Sequence, residues 1–221
     1  MIIIMLGAPG TGKGTVGKLL SEEFDIPHIS SGEIFRSYIN KQSKLAKEIG
    51  EYVSKGLLVP DDLSIKLLEK RLCEDDVENG AILDGFPRTN YQADILEKML
   101  KKQEKSIKIA IELSLPDEEI IDRIVKRRTC SNKDCREIYN LEFKIPKKEG
   151  VCDKCGAELI IREDDNEKTV KQRLKTYHET SEHLIDFYKN KDILYTVRIN
   201  SKSDDVSKEV AKEIEEYIKR K

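Results

Sequence analysis

The chain opens on Met1-Ile2-Ile3-Ile4-Met5-Leu6 and runs at once into Gly7-Ala8-Pro9-Gly10-Thr11-Gly12-Lys13-Gly14-Thr15. No other stretch limits the fold so tightly. An apolar run without alternation suits a strand buried on both faces, which needs helices above and below it. The glycines then let successive backbone N–H groups turn inward around an anion without Cβ clashes. From Gly12 to Phe24, Val16, Leu19, Leu20 and Phe24 fall on one face at helical spacing. Strand, glycine loop and helix in this order are the context of a phosphate-binding loop: the helix dipole adds positive potential and Lys13 a compact charge. A bare glycine turn would need neither the lysine nor the flanking elements. Ser or Thr usually follows that lysine directly, whereas here Gly14 does and the hydroxyl comes at Thr15.

Beyond this loop, strands and helices alternate. Pro27–Ile29, Ala81–Leu83, Ile107–Leu113 and Ile193–Ile199 are further short apolar runs. With the first they predict an α/β fold of the P-loop NTPase type, three layers around a five-stranded parallel sheet. Ser30 with Glu33 resembles a capping box opening a helix near Ser31, another helix ends around Gly56, and Pro60-Asp61 begins the next. Helices are also expected over 89–102, 117–128, 167–188 and 203–219. Two segments interrupt the alternation. Residues 31–60 are helical with no returning strand, and residues 129–165 lack helical period. A length of 221 residues fits one such domain with insertions.

Asp84-Gly85-Phe86-Pro87-Arg88 directly follows the Ala81–Leu83 strand. Ligand groups gather at the carboxyl ends of strands in open α/β sheets. There an acid can hold Mg²⁺ through water, and Arg88 can grip phosphate bidentately as lysine cannot. Of the 40 basic residues only 11 are arginine, so their positions are informative. Arg36, Arg88, Arg123, Arg127, Arg162 and Arg173 all fall in or beside the segments above; for any single one, a structural ion pair is the competing reading.

Four of the five cysteines sit as Cys130-x₄-Cys135 and Cys152-x₂-Cys155. Four thiolates so spaced can surround one tetrahedral zinc, giving a closed structural site without an open place for water. Two disulfides or four free thiols are the alternatives, and a reducing compartment disfavours the first. The segment has little apolar material of its own, so metal would supply folding free energy that burial cannot. Cys73 follows Leu68 and Leu72 and reads as a small core residue. His178 and His183 are poorly spaced to share a metal, and His28 reads as structural.

Formal net charge is −2, and Cys130 to Asp165 holds seven Lys or Arg against nine Asp or Glu. Both counts speak against a nucleic-acid partner, including a zinc-ribbon module fused to an ATPase. Met1–Leu6 is too short for a secretory signal core and no run approaches the ~18 apolar residues of a membrane span. A cytoplasmic protein without a membrane partner is expected.

Taken together, GAPGTGKGT, Ser30-Ser31-Gly32 to Arg36, DGFPRT followed by Gln92, Asp122-Arg123 to Arg127, and Arg162 to Asp165 resemble the adenylate kinases of the long-lid, zinc-binding type in order and spacing along nearly the whole chain. The resemblance implies a core of residues 1–30, 61–126 and 166–221, an AMP-binding insertion at 31–60 and a zinc-binding lid at 127–165. It implies that Gly10, Thr11, Gly12, Lys13, Gly14, Thr15, Arg123 and Arg127 contact ATP, Arg123 stacking on its adenine. Arg36 and Arg88 would hold the AMP phosphate, Gln92 would read the base, and Ser31, Gly85, Leu57, Leu58 and Val59 would line the pocket. Arg127, Arg162 and Arg173 would neutralise the transferring group. The catalytic set is then Lys13, Arg88, Arg123, Arg127, Arg162 and Arg173, with Asp84, and beside it Glu33, acting on the magnesium hydration shell. Ser31 stands where the family more often has Thr, and Glu33 where it often has Asp. ATP, AMP and ADP would be the ligands, Mg²⁺ and structural Zn²⁺ the cofactors, and a monomer the working form. A kinase of another nucleoside monophosphate, such as UMP or CMP, is the nearest alternative.

Overall fold

The computed structural model describes residues 1–39, 41, 43–199 and 205–220. The first half runs β1 (Ile2–Leu6), α1 (Lys13–Phe24), β2 (His28–Ser30), α2 (Ser31–Ile39), α3 (Lys44–Ser54), α4 (Asp61–Leu72), β3 (Ala81–Asp84) and α5 (Asn90–Lys102). The second half continues β4 (Ile107–Ser114), α6 (Asp117–Val125), β5 (Arg127–Cys130), β6 (Ile138–Asn140) and β7 (Leu159–Ile160), then α7 (Glu167–Thr176), α8 (His183–Lys189), β8 (Leu194–Arg198) and α9 (Val206–Arg220).

The five expected strands form one parallel sheet in the order β2-β3-β1-β4-β8. Every residue of β1 is buried, and its alternate side chains serve two different cores. Ile3 and Met5 pack with Val16 and Leu20 of α1, Ile120 and Ile124 of α6, and Ile214 of α9. Ile2, Ile4 and Leu6 pack with Leu68 of α4, Leu96 of α5 and Tyr188 of α8. One uninterrupted apolar strand thus becomes the middle of three layers, the arrangement its sequence demands.

Two smaller units stand on this core. In the first, α2 and α3 pack around Ile49 and Val59, with Ser43 capping α3 by accepting from Ala46 N. Gly56 follows α3 in the left-handed region, as a helix stop should. In the second, β6-β5-β7 form an antiparallel sheet around Cys130, Tyr139, Cys152 and Leu159.

Four sequence expectations need correction. The helix from Asp117 ends at Val125, not Arg128, because Arg127–Cys130 pairs with Ile138–Asn140 and Leu159–Ile160; partners so distant in sequence leave no local signature. The long helix 167–188 is interrupted by a π-helical turn at Tyr177–Ser181. There Thr180 Oγ1 donates to Thr176 O at 2.6 Å and Thr176 Oγ1 to Gln172 O at 2.9 Å, so hydroxyls compete for ladder carbonyls. Cys73 is exposed at the C-terminus of α4, one residue round the helix from the buried Leu72. The last helix begins at Val206; residues 203 and 204 of its expected start lie outside the described residues.

Candidate active site

The loop between β1 and α1 faces a single cleft, into which the ends of β3, α2, α6 and α7 also open. Lys13 Nζ donates to Gly7 O and Ala8 O, each at 2.7 Å, and Thr11 Oγ1 donates to Ala8 O at 3.0 Å. The loop is therefore shaped from within, its carbonyls turned to the lysine. Burial lowers the Lys13 pKa to about 8, against the pull of Asp84 and with the push of Arg88 and Arg127. Gly10 needs its left-handed φ of 88°, and a Cβ there would lie 2.7 Å from Ile124. Gly12, Gly14 and Thr15 line the same cleft.

Asp84 ends β3 opposite Met5 of β1. Burial alone would raise its pKa, but His28 and the charges of Lys13 and Arg88 hold it below the usual carboxylate range. His28 Nε2 stands 3.5 Å from Asp84 Oδ2, an electrostatic contact longer than a good hydrogen bond. The chain then turns at Gly85, whose φ is 76° and whose absent Cβ would meet Ser31 Oγ at 2.7 Å. That close approach lets the buried Ser31 donate to Gly85 O at 2.7 Å. Arg88 Nε donates to the same carbonyl at 2.9 Å, aiming the rest of the guanidinium into the cleft.

All six singled-out arginines, Arg36, Arg88, Arg123, Arg127, Arg162 and Arg173, line this cleft although they come from α2, the β3–α5 loop, α6, β5, the β7–α7 loop and α7. Arg127 grips Asp165 with two hydrogen bonds, 2.8 and 2.5 Å. Arg173 pairs with Asp164, and Arg162 Nε donates to Thr129 Oγ1 at 3.1 Å. Arg123 lies 5.2 Å from the centroid of the Phe143 ring. Burial, then mutual repulsion, pulls Arg162 and Arg173 down to about 9 and lowers Arg36 and Arg88 also. Guanidinium groups do not give up their protons at neutral pH, so these shifts reflect buried charge first and crowding by like charge second.

At the far end lie Leu57, Leu58, Val59 and Gln92. Gln92 Oε1 accepts from Arg88 N at 2.7 Å while its Nε2 donates to Asp61 Oδ1 at 2.7 Å. Thr89 caps α5 and donates to Asp61 Oδ2 at 3.0 Å. Only the remaining lone pair and N–H of Gln92 are left to read a base. Asp61, His28, Phe143 and the roles of Asp164 and Asp165 escaped sequence reasoning. Asp61 showed only as a helix start, and the two acids only as part of a motif.

The four clustered cysteines converge as expected, all four Sγ atoms within 4.8 Å of one another. Cys130–Cys155 and Cys135–Cys152 are 3.4 and 3.8 Å apart. A tetrahedron with metal–sulfur bonds of about 2.3 Å has edges of about 3.8 Å, so the donor set fits a tetrahedral ion. Burial pushes the Cys130 thiol up to about 12. Burial also opposes the Cys152 thiolate, yet Tyr139 and the N–H groups of Cys155 and Lys154 hold it at about 6. Thiols that resist joint ionisation are what a divalent cation relieves.

A buried strand feeding a backbone cradle and a lysine, with an arginine cradle across the same cleft, defines a P-loop phosphotransferase. Residues 5–193 match the family model of adenylate kinase. Adenylate kinases of Caldicellulosiruptor saccharolyticus, Acetivibrio thermocellus and Archaeoglobus fulgidus are 47, 46 and 46% identical to the chain, over 96, 95 and 95% of it and 98, 96 and 96% of their own lengths. The chain belongs to the adenylate kinase family. Among the described residues, no helix is long and apolar enough to cross a membrane.

Proposed function

We propose that this cleft runs the adenylate kinase reaction, MgATP + AMP ⇌ two ADP, with ATP at the glycine loop and AMP at the α2–α3 end. The observation that carries the assignment is that the glycine loop with Lys13 and the arginines Arg36 and Arg88 line one and the same cleft. Arg127, Arg162 and Arg173 line the same cleft and would neutralise the transferring group. In the transfer, an AMP phosphate oxygen bonds the γ-phosphorus in line. The bond to the β,γ-bridging oxygen breaks, and its electron pair leaves on ADP. No general base is needed, because positioning and charge neutralisation supply most of the acceleration.

Residue by residue, Gly10 to Thr15 bind the ATP phosphates, and Arg123 stacks on the adenine with Phe143 nearby. Asp84, its charge favoured by Lys13 and Arg88, orients waters on the magnesium that ATP brings. Ser31, Leu57 to Val59, Gly85 and Gln92 surround AMP. We assign residues 1–30, 61–126 and 166–221 to the core, 31–60 to the AMP-binding insertion and 127–165 to a lid. Cys130, Cys135, Cys152 and Cys155 would hold zinc, which would supply the folding free energy that lets the lid move as one piece. The lid excludes water, a smaller nucleophile than AMP. The working form is a cytoplasmic monomer.

The test is ADP formation from MgATP with AMP, UMP and CMP in parallel, with metal content measured on the same sample. Turnover confined to AMP, with one zinc per chain, is expected. Preference for UMP or CMP would reassign the base site, and absence of ADP with AMP would overturn the reading.

A further inference from the structure

Neither the loop nor the arginine cradles account for Arg136. It follows Cys135 in the turn between β5 and β6 and adopts a φ of 47°, the left-handed region that glycine occupies freely and a side chain does not. The turn is closed around it: Cys135 N and Arg136 N both donate to Asn132 O, at 3.2 and 2.9 Å. Arg136 Nε donates to Lys133 O at 2.8 Å. Residues 131–134, the four between the first two cysteines, thus supply the carbonyl that orients the guanidinium. Its Nη1 then reaches Glu33 Oε2 of α2 at 3.5 Å.

Glu33 lies three residues before Arg36, on the same helical face, and both line the cleft. The Arg136–Glu33 pair therefore joins the cysteine-bearing sheet to the helix that carries one arm of the AMP phosphate cradle. Both side chains are about one-third exposed, 32 and 31%. A pair so placed is stable only while the two flaps are together, and it opens into water when they part.

We propose that Arg136 is a positioning residue, a latch that holds the metal-binding flap against α2 in the closed enzyme and so fixes Arg36 for the second nucleotide. This rests on the reading of the α2–α3 end as the AMP site. The strained backbone at Arg136 fits a residue kept for its charge rather than for the turn. Glycine would suit that turn better.

Arg136→Gly removes the charge and relieves the backbone, so fold and metal content should stay as they are. An exposed ion pair of this kind corresponds to about a two- to fivefold rise in KM for AMP. kcat is expected not to fall, since flap opening becomes easier. At about 0.5 M salt the wild type should approach the variant, because screening weakens the same pair. In a Glu33→Gln background, Arg136→Gly should add nothing further to KM for AMP, and the cycle cancels any separate role of Glu33 near magnesium.

An unchanged KM for AMP in Arg136→Gly overturns the latch. Should that variant lose metal or melting temperature, Arg136→Gln, which keeps the stem, decides. A raised KM at full metal content supports the latch, and a normal KM overturns it. If the wild type itself turns over no AMP, the site assignment has failed and not the latch.

Discussion

Replacing Arg88 by lysine tests the second cradle most directly. In the structure Nε of Arg88 donates to Gly85 O at 2.9 Å, so the fork is held from behind in a residue that lines the cleft. Lysine keeps the charge but has a single nitrogen, which cannot both anchor on Gly85 O and present two parallel donors to a phosphate. One charge-assisted hydrogen bond is lost, and the remaining contact is no longer aimed. At about 1.5–3 kcal/mol for such a bond, kcat/KM for AMP should fall about tenfold to 150-fold. The fold should not suffer. Burial opposes the charge of Arg88, with Asp84 as the compensating neighbour, and lysine retains that compensation. Steady-state kinetics with AMP varied at saturating MgATP, together with a melting curve, supply the test. A fall in kcat/KM below threefold at unchanged melting temperature would show that Arg88 does not grip the phosphate.

Other perturbations separate the remaining parts. Chelating the metal should melt the sheet formed by β5, β6 and β7, since its buried cluster is little more than Cys130, Tyr139, Cys152 and Leu159. Hydrogen exchange should show residues 127–165 losing protection while β1, β3 and β4 keep theirs, and equal protection with and without chelator would refute a structural metal. ATP binding should weaken as pH rises above about 8, because Lys13 is lowered to about 8 by burial in the free enzyme. The sign follows from linkage: phosphate favours charged Lys13, so binding takes up protons near pH 8–9, which calorimetry in buffers of different ionisation enthalpy detects. For folding the direction is opposite. The cost of a charged, buried Lys13 is present below pH 8 and is relieved as pH rises from there toward 10.5. Gly85→Ala should raise KM for AMP about tenfold or more, since the new Cβ would lie 2.7 Å from Ser31 Oγ at a φ of 76°; unaltered kinetics would mean the turn can shift freely.

What could be read from sequence was local. The run Ile2–Leu6 announced a strand buried on both faces, and its alternate residues do divide between the two cores. Glycine and lysine spacing announced the cradle, because a backbone that must curl around an anion leaves a periodic mark. The arginines were found by their scarcity beside a lysine-rich background. Missing were the relations made by folding alone. His28 meets Asp84 across neighbouring strands, and Asp61 ties down Gln92 from another helix. Neither contact has a spacing to detect. Arg127 looked helical because it continues the pattern of α6, and only pairing with Asn140 makes it the first residue of β5. Cys73 was misjudged for a related reason: apolar neighbours at 68 and 72 define a stripe that turns away before 73.

The electrostatics explain why these pieces need one another. Lys13 and the six arginines bring seven positive charges to one cleft, and the carboxylates that act on them include Glu33, Asp84, Asp164 and Asp165, with Glu119 and Glu142 beside Arg123. Consecutive acids divide the work, Asp165 holding Arg127 of β5 and Asp164 holding Arg173 of α7. The first pair ties the two ends of segment 127–165 together and the second ties that segment to α7, while the other arginines are left facing the cleft. Without phosphates this positive charge opposes bringing the flaps together: burial first, and then the neighbouring arginines, lower the pKa values of Arg36, Arg162 and Arg173. With two nucleotides in place the missing anions are supplied, and repulsion becomes attraction through the same groups. A ligand can shift closure only by binding the closed form better, and phosphate between these cradles meets that condition. On the reading proposed above, closure and phosphate recognition would be one electrostatic event, which water, carrying no charge to the cleft, would not set off.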